Sequence, residues 1–300
     1  MAEPTFVHLR VHSAYSLSLG AMKVPDLVKR AKEMGFSAIA VTDSSNMFGV
    51  KAFSHYAPDE GIKPIIGCEF LLRNTDNDDV LKCKGKTMPA DKIILYVKNQ
   101  TGYMNIMKLM KIYYLNNTEK YGDPQLTIED IKMNKEGILA LSGGVEGKIG
   151  RLILEKRYDE AENAASELKD IFGADFYMEI SRIGLEEEQK TEEDFINLAY
   201  KYNIPLVATN EAFFFDTDMY EAHDALVCIV AGEYVANEDR KHYSPNNRLK
   251  SAQDMIELFA DLPEAIQNTV NIAVKCNFMS EFVAPLLPIF ECPNGMSQDD

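Results

Sequence analysis

The sequence predicts an α/β fold built on a parallel sheet. Three observations carry that expectation. About seven short apolar runs alternate with stretches of helical periodicity along the 300 residues. Polar residues crowd just after several of these runs, where such folds gather their sites. Hydrophobic residues make up 46% and charged residues 26%, ordinary proportions for a globular chain with a sizeable core.

The first run, Val7-His8-Leu9-Arg10-Val11-His12, places three large polar side chains at every second position. On a strand that spacing puts His8, Arg10 and His12 on one face. Residues 24–34 repeat apolar side chains at helical spacing, with Pro25 in the first turn and Gly35 as the stop. Residues 36–41 form a second strand that ends at Thr42-Asp43-Ser44, and a helix over 47–57 precedes Gly61. A third strand spans 63–70, with Glu69 near its end, and residues 74–91 read as a polar, irregular excursion. A fourth strand (92–98) and a helix (102–115) follow. Met104, Met107 and Met110 fall at helical spacing there and are expected to fill core gaps.

Strands over 137–141, 175–180 and 204–208 alternate with helices over 148–156, 159–172 and 187–202. Helical stretches over 219–231, 252–259 and 263–276 come last. A closed sheet would bring the strand ends to one mouth, and an open one to a switch point. No G-x-G-x-x-G follows an early strand to favour a nucleotide-binding sheet.

Lys and Arg total 31 against 47 Asp and Glu, a net charge of -16, which argues against this chain as the main grip on a phosphate backbone. Cys68, Cys83, Cys228, Cys276 and Cys292 are scattered without a C-x-x-C pair, as expected for reduced thiols in a cytoplasmic protein. The opening residues lack the apolar core of a signal peptide. No run nears the roughly 18 apolar residues of a membrane span.

His12 is the foremost site candidate, as a metal ligand or general base. The alternative is a hydrogen-bonded histidine at a strand end, which the absence of a neighbouring histidine favours. His8, deeper in the strand, reads more strongly as structural. Asp43 and Glu69 suit ligand or acid–base roles, but Arg10 nearby makes ion pairs the better expectation. Ser142-Gly143-Gly144 through Ile149 fails as a phosphate loop, since glycine is needed at Ser142 and Ser or Thr at Ile149. His55, His223 and His242 have no carboxylate or cysteine at metal-ligand spacing in the sequence and read as ordinary histidines. Glu186, Glu187 and Glu188 are expected on a solvated helix start.

The segments FVHLRVHSAYSL, VTDSSNMFG, GIKPIIGCEF, LALSGG, VATNEAFFFD and PLLPIF resemble, in family order, the N-terminal part of bacterial DNA polymerase III alpha subunits. The resemblance implies a PHP domain (polymerase and histidinol phosphatase), a distorted (β/α)7 barrel, over residues 1–278. Residues 279–300 would be a connector toward the polymerase palm.

Active PHP domains bind up to three metals in a cluster of histidines and acids at the barrel mouth. Set against that cluster, the His-x-His pair falls here on Arg10 and His12. Further ligand positions fall on Leu19, Ser44, Gly144, Ile183 and Phe213, and another lies near Cys83. His12 and Glu69 survive, and Glu211 is a conservative change. Too few lone pairs remain for a three-metal cluster. The expected result is a catalytically inactive pocket, with no bound metal, rebuilt around Arg10, Asp43 and Ser44.

By the same resemblance, the whole protein would be a DNA-directed DNA polymerase, with magnesium bound in its polymerase domain. Its partners would be a proofreading exonuclease docked on this segment, a sliding clamp and clamp loader, and DNA through downstream domains. A metal-dependent phosphoesterase with a reduced site is the alternative.

Overall fold

Helix α1 (Val24–Glu33) shows how the sequence builds the outer layer. Pro25 opens it, Asp26 sits in its first turn, and Arg30 and Lys32 lie in its last. Val24, Leu27, Val28 and Ala31 form its buried stripe, and Gly35 ends it at φ +80°. The computed structural model describes residues 5–74, 90–115, 123–237 and 239–281.

Six strands form one sheet in chain order: β1 (Ala38–Ser44), β2 (Lys63–Arg73), β3 (Ala90–Val97), β4 (Ile138–Leu141), β5 (Phe176–Ser181) and β6 (Leu206–Thr209). Helix α2 (Val50–Asp59) links β1 to its parallel neighbour β2. Helix α3 (Gln100–Leu115) and α4 (Ile128–Met133) lie between β3 and β4. Helices α5 (Lys148–Leu154) and α6 (Tyr158–Phe172) link β4 to β5, and α7 (Glu186–Lys201) links β5 to β6, both pairs parallel. Helices α8 (Tyr220–Ala231), α9 (Ala252–Leu258) and α10 (Pro263–Lys275) complete the fold. The short α4 escaped the sequence reading, although Thr127 and Asp130 form a reciprocal capping box at its start.

Strand β3 corrects the expectation of a parallel sheet. It runs antiparallel to both β2 and β4. The polar stretch before it has no helical crossover pattern in the sequence, and a connection without a crossover can return antiparallel.

Residues 8–12 close the ring. Ala40 donates to the His8 carbonyl (2.8 Å) and Thr42 to that of Val11 (2.9 Å). On the other side His12 donates to Ala212 (2.9 Å) and Ala212 to Arg10 (3.0 Å). Seven extended segments thus form a distorted (β/α)7 barrel. The pairing with β1 advances three residues on the N-terminal segment for two on the strand, the signature of a bulge. That extra residue shifts the alternation of side chains. His8 therefore points outward, against Phe6 and Phe36 with ring centroids 4.9 and 5.3 Å away, while Arg10 and His12 point into the mouth. The expectation of one shared face fails for His8 for this reason.

Alternate residues fill the barrel floor: Leu9, Ala40, Ile65, Tyr96, Leu139 and Val207 belong to one buried cluster that includes Ile272 of α10. The Tyr96 hydroxyl donates to the Leu9 carbonyl (2.7 Å). Gly67 makes room for that ring, because a Cβ there would lie 2.9 Å from Tyr96 and from Thr42. A second, larger cluster lies between the sheet and the helices. Met104 and Met107 do not join it. They are 50% and 40% exposed, whereas Met110 packs against the core.

Cys68, Cys228 and Cys276 are buried free thiols. Cys83, Cys292 and nearly all of the expected connector lie outside the described residues. Among the described residues, no helix is long and apolar enough to cross a membrane.

Candidate functional site at the barrel mouth

The inward columns that carry apolar side chains on the floor carry charge at the mouth. Glu69 continues the Ile65–Gly67 column of β2, Glu179 continues Tyr177 on β5, and Glu211 continues Val207–Thr209 beyond β6. Arg10 is buried among these three carboxylates. Its Nη1 donates to Glu179 Oε1 (3.2 Å), and its Nη2 donates to both Glu69 and Glu211. Lys92 adds a second cation, 2.7 Å from Glu146, 3.3 Å from Glu211 and 3.4 Å from Glu69.

The network extends through hydroxyls. Thr209 donates to Glu179 (2.7 Å), and the Glu179 amide donates to Ser142 Oγ (3.0 Å). Ser44 donates to Glu69 (3.2 Å) and lies 3.2 Å from His12 Nδ1. Ser16 likewise gives its proton to Asp43 (2.7 Å) and lies 3.2 Å from the same nitrogen. With both hydroxyl protons committed, Nδ1 carries the hydrogen and the two oxygens accept it. His12 Nε2 lies 3.3 Å from Glu211, and Phe213 stacks on the imidazole at 4.5 Å.

Burial alone would weaken these charges, and their mutual attraction overrides it. Burial lowers the proton affinity of Arg10, but Glu211, Glu179 and Glu69 together hold it well above the ordinary arginine value. For Lys92 burial again acts downward, and Glu211, Glu69 and Glu146 outweigh it. Glu211 is pushed up by burial and pulled well below the carboxylate range by Arg10 and Lys92. Arg10, Lys92 and Glu211 are thus held in their charged forms.

Most of the residues singled out in the sequence meet here. Arg10, His12, Ser44, Glu69 and Glu211 converge; Glu69 forms the expected ion pair with Arg10, and Glu211 forms another. Asp43 does not pair with Arg10. It instead accepts the Ser13 amide (2.7 Å), the Ser13 hydroxyl (2.8 Å) and the Ser16 hydroxyl, tying down the turn after the first segment. The solvated-start reading also fails for Glu188. It is buried, and one of its oxygens accepts the amides of Ile183, Gly184 and Leu185. His223 donates to the Leu19 carbonyl (2.7 Å) and is structural.

Two site residues escaped the sequence reading. Lys92 stands at the start of β3, and only the reversal of that strand brings its start to the mouth. Glu179 lies within β5 instead of after it, and its two-residue phase with Tyr177 was the available signal.

His12, Glu69 and Glu211 offer ligand atoms within 4.8 Å of one another, a set that could hold one ion. The same carboxylates are already engaged by Arg10 and Lys92, neither of which has a lone pair to give a metal. The set therefore fits a guanidinium better than a metal cluster. At Gly144 (φ +57°) a Cβ would lie 4.0 Å from Glu179, and Ile183 lines a cleft of ≈ 320 Å³ beside Glu211 and Lys241. Neither residue has a side-chain atom that could ligate a metal.

The PHP domain family profile matches residues 8–183. The chain is 41% identical over 285 residues to DNA polymerase III subunit alpha of Rickettsia bellii, covering 95% of this chain and 23% of that protein. The Caulobacter vibrioides subunit is 38% identical over 98% of this chain and 25% of its own length. The Vibrio cholerae subunit is 36% identical over 100% of this chain and 25% of its own. The chain thus spans about a quarter of the length of these relatives. Among solved structures, an amidohydrolase from Chromobacterium violaceum, with bound sulfate and no metal, aligns at TM-score 0.42 and 14% identity. That alignment covers 69% of this chain and 87% of the other.

Proposed function

The chain belongs to the PHP domain family and is homologous to the N-terminal part of DNA polymerase III alpha subunits, and from that premise we propose that it is a non-catalytic scaffold within such a replicative polymerase. Its barrel would support the polymerase body and dock a separate proofreading exonuclease, while DNA synthesis and its magnesium belong to other parts of the full-length protein. Contacts with DNA, the sliding clamp and the clamp loader would be made there too. The proposed place of work is the cytoplasm, with residues 1–278 as the PHP unit.

One observation carries this reading. The Arg10 guanidinium sits among Glu69, Glu179 and Glu211, where a hydrolase of this family would keep cations. His12, Glu69 and Glu211 are then vestiges of a ligand set, and Arg10 and Ser44 are its rebuilt lining. Asp43 supports the rim instead.

Metal analysis of the purified protein, with hydrolysis of bis(p-nitrophenyl) phosphate in the presence and absence of a chelator, tests the proposal. Metal well below one ion per chain and no chelator-sensitive hydrolysis are expected. The close grouping of His12, Glu69 and Glu211 favours a second reading, a metal-dependent phosphoesterase (a proofreading nuclease or pyrophosphatase) with a reduced site. One tightly held ion together with chelator-sensitive hydrolysis would establish that reading instead.

A further inference from the structure

Helix α3 presents an outward face that combines exposed apolar side chains with lysines. Met104 and Met107 are exposed, as are Tyr114 and Leu115 at 43% and 69%. Lys108 and Lys111 are exposed beside them. These positions follow the three–four rhythm of one helix face, opposite the buried Ile106, Leu109 and Tyr113. From Asn99 to Thr118 the sequence has no Asp or Glu, in a chain with 47 of them. The helix itself therefore contributes only apolar and cationic side chains to this face, on a protein of net charge -16.

Resting on the docking role argued above, we propose that this face of α3 receives the exonuclease partner through a segment that carries carboxylates among apolar side chains, as on an acidic amphipathic helix. Methionines are unbranched and polarisable and adapt to a partner's shape. Lysines flanking them select carboxylates and steer the encounter. The Tyr114 hydroxyl donates to the Ser45 carbonyl (2.6 Å), which holds the ring in place as a preformed contact. Single-stranded nucleic acid fits less well, because it wants a cationic track with several stacking rings, and this face offers two lysines and one ring. The apolar patch of Ile229, Val230, Tyr234 and Val235 includes Glu233 and has no lysine among residues 229–235, so it lacks this charge signature.

The test uses the full-length protein and separately purified exonuclease. A Lys108→Glu/Lys111→Glu variant is expected to raise the Kd at least about tenfold with an unchanged melting temperature, while Lys108→Arg/Lys111→Arg binds normally. Benzoylphenylalanine at position 107 should crosslink to an Asp- or Glu-containing segment of the exonuclease, and at position 229 it should not. Undiminished binding by the Glu variant, or crosslinking from 229 alone, leaves the docking role standing and removes this face from it. An exonuclease that ignores the unmodified protein removes both. Crosslinks from 107 into the protein's own chain, or a poly(dT) oligonucleotide that competes with the exonuclease for this face, also overturn the proposal.

Discussion

The two ends of the barrel use the same inward columns for opposite ends. On the floor, Leu9, Ile65, Tyr96, Leu139 and Val207 exclude water by shape. At the mouth, the same strands contribute Arg10, Glu69, Lys92 and Glu179, which exclude water only because each charge has a counter-charge. Floor contacts are individually small and tolerant. Mouth contacts are mutually dependent, since removing one member strands the others in a medium that solvates them poorly.

That contrast can be broken most directly at Arg10. Arg10→Met leaves three buried carboxylates without their shared guanidinium and is expected to destabilise by about 3–5 kcal/mol in urea unfolding. Adding Glu69→Gln, Glu179→Gln and Glu211→Gln should recover most of the loss. A single-variant effect below about 1 kcal/mol would mean that water reaches the cluster. On the floor, Leu139→Ala is expected to cost roughly 3 kcal/mol through the cavity it leaves. That loss should be equal at pH 5 and pH 8, and a pH-dependent loss would erase the distinction between the two ends.

His8 sharpens the comparison, because it is a polar group kept neutral. Burial lowers it from 6.5 to about 4, against a smaller opposing pull from its bond to the Lys250 carbonyl. Between those values the unfolded chain takes up a proton that the folded chain refuses. Its contribution is therefore complete above pH 6.5 and is lost as pH falls toward 4, up to about 3 kcal/mol. His8→Gln should flatten the stability profile across that window, and an unchanged slope would assign the effect to another group. The smallest change is expected at the hydroxyl between His12 and Glu69. Ser44→Ala should cost about 1 kcal/mol in the same unfolding assay.

Much of the mouth was legible in the chain because strand ends converge in any α/β barrel. His12, Glu69 and Glu211 each follow or end an apolar run, and Arg10 shares their phase. Asp43 looked equivalent, but two serines reached it before the arginine could. Lys92 was hidden because a strand does not announce its direction in its own composition. Glu179 was hidden because it lies inside a strand, where a lone acid reads as an interruption. The methionines of α3 followed the helical period faithfully, but period alone does not say which face is turned inward.

What the sequence determined by itself was local and periodic. It set where most strands and helices form and which residue types stand at strand ends. Only the tertiary structure decided the direction of β3, the bulge that turns His8 away from Arg10 and His12, and the partner of each buried charge. The reason is physical. Side-chain spacing follows from backbone geometry within a segment, whereas strand direction, register slips and ion-pair choice depend on which distant segments meet.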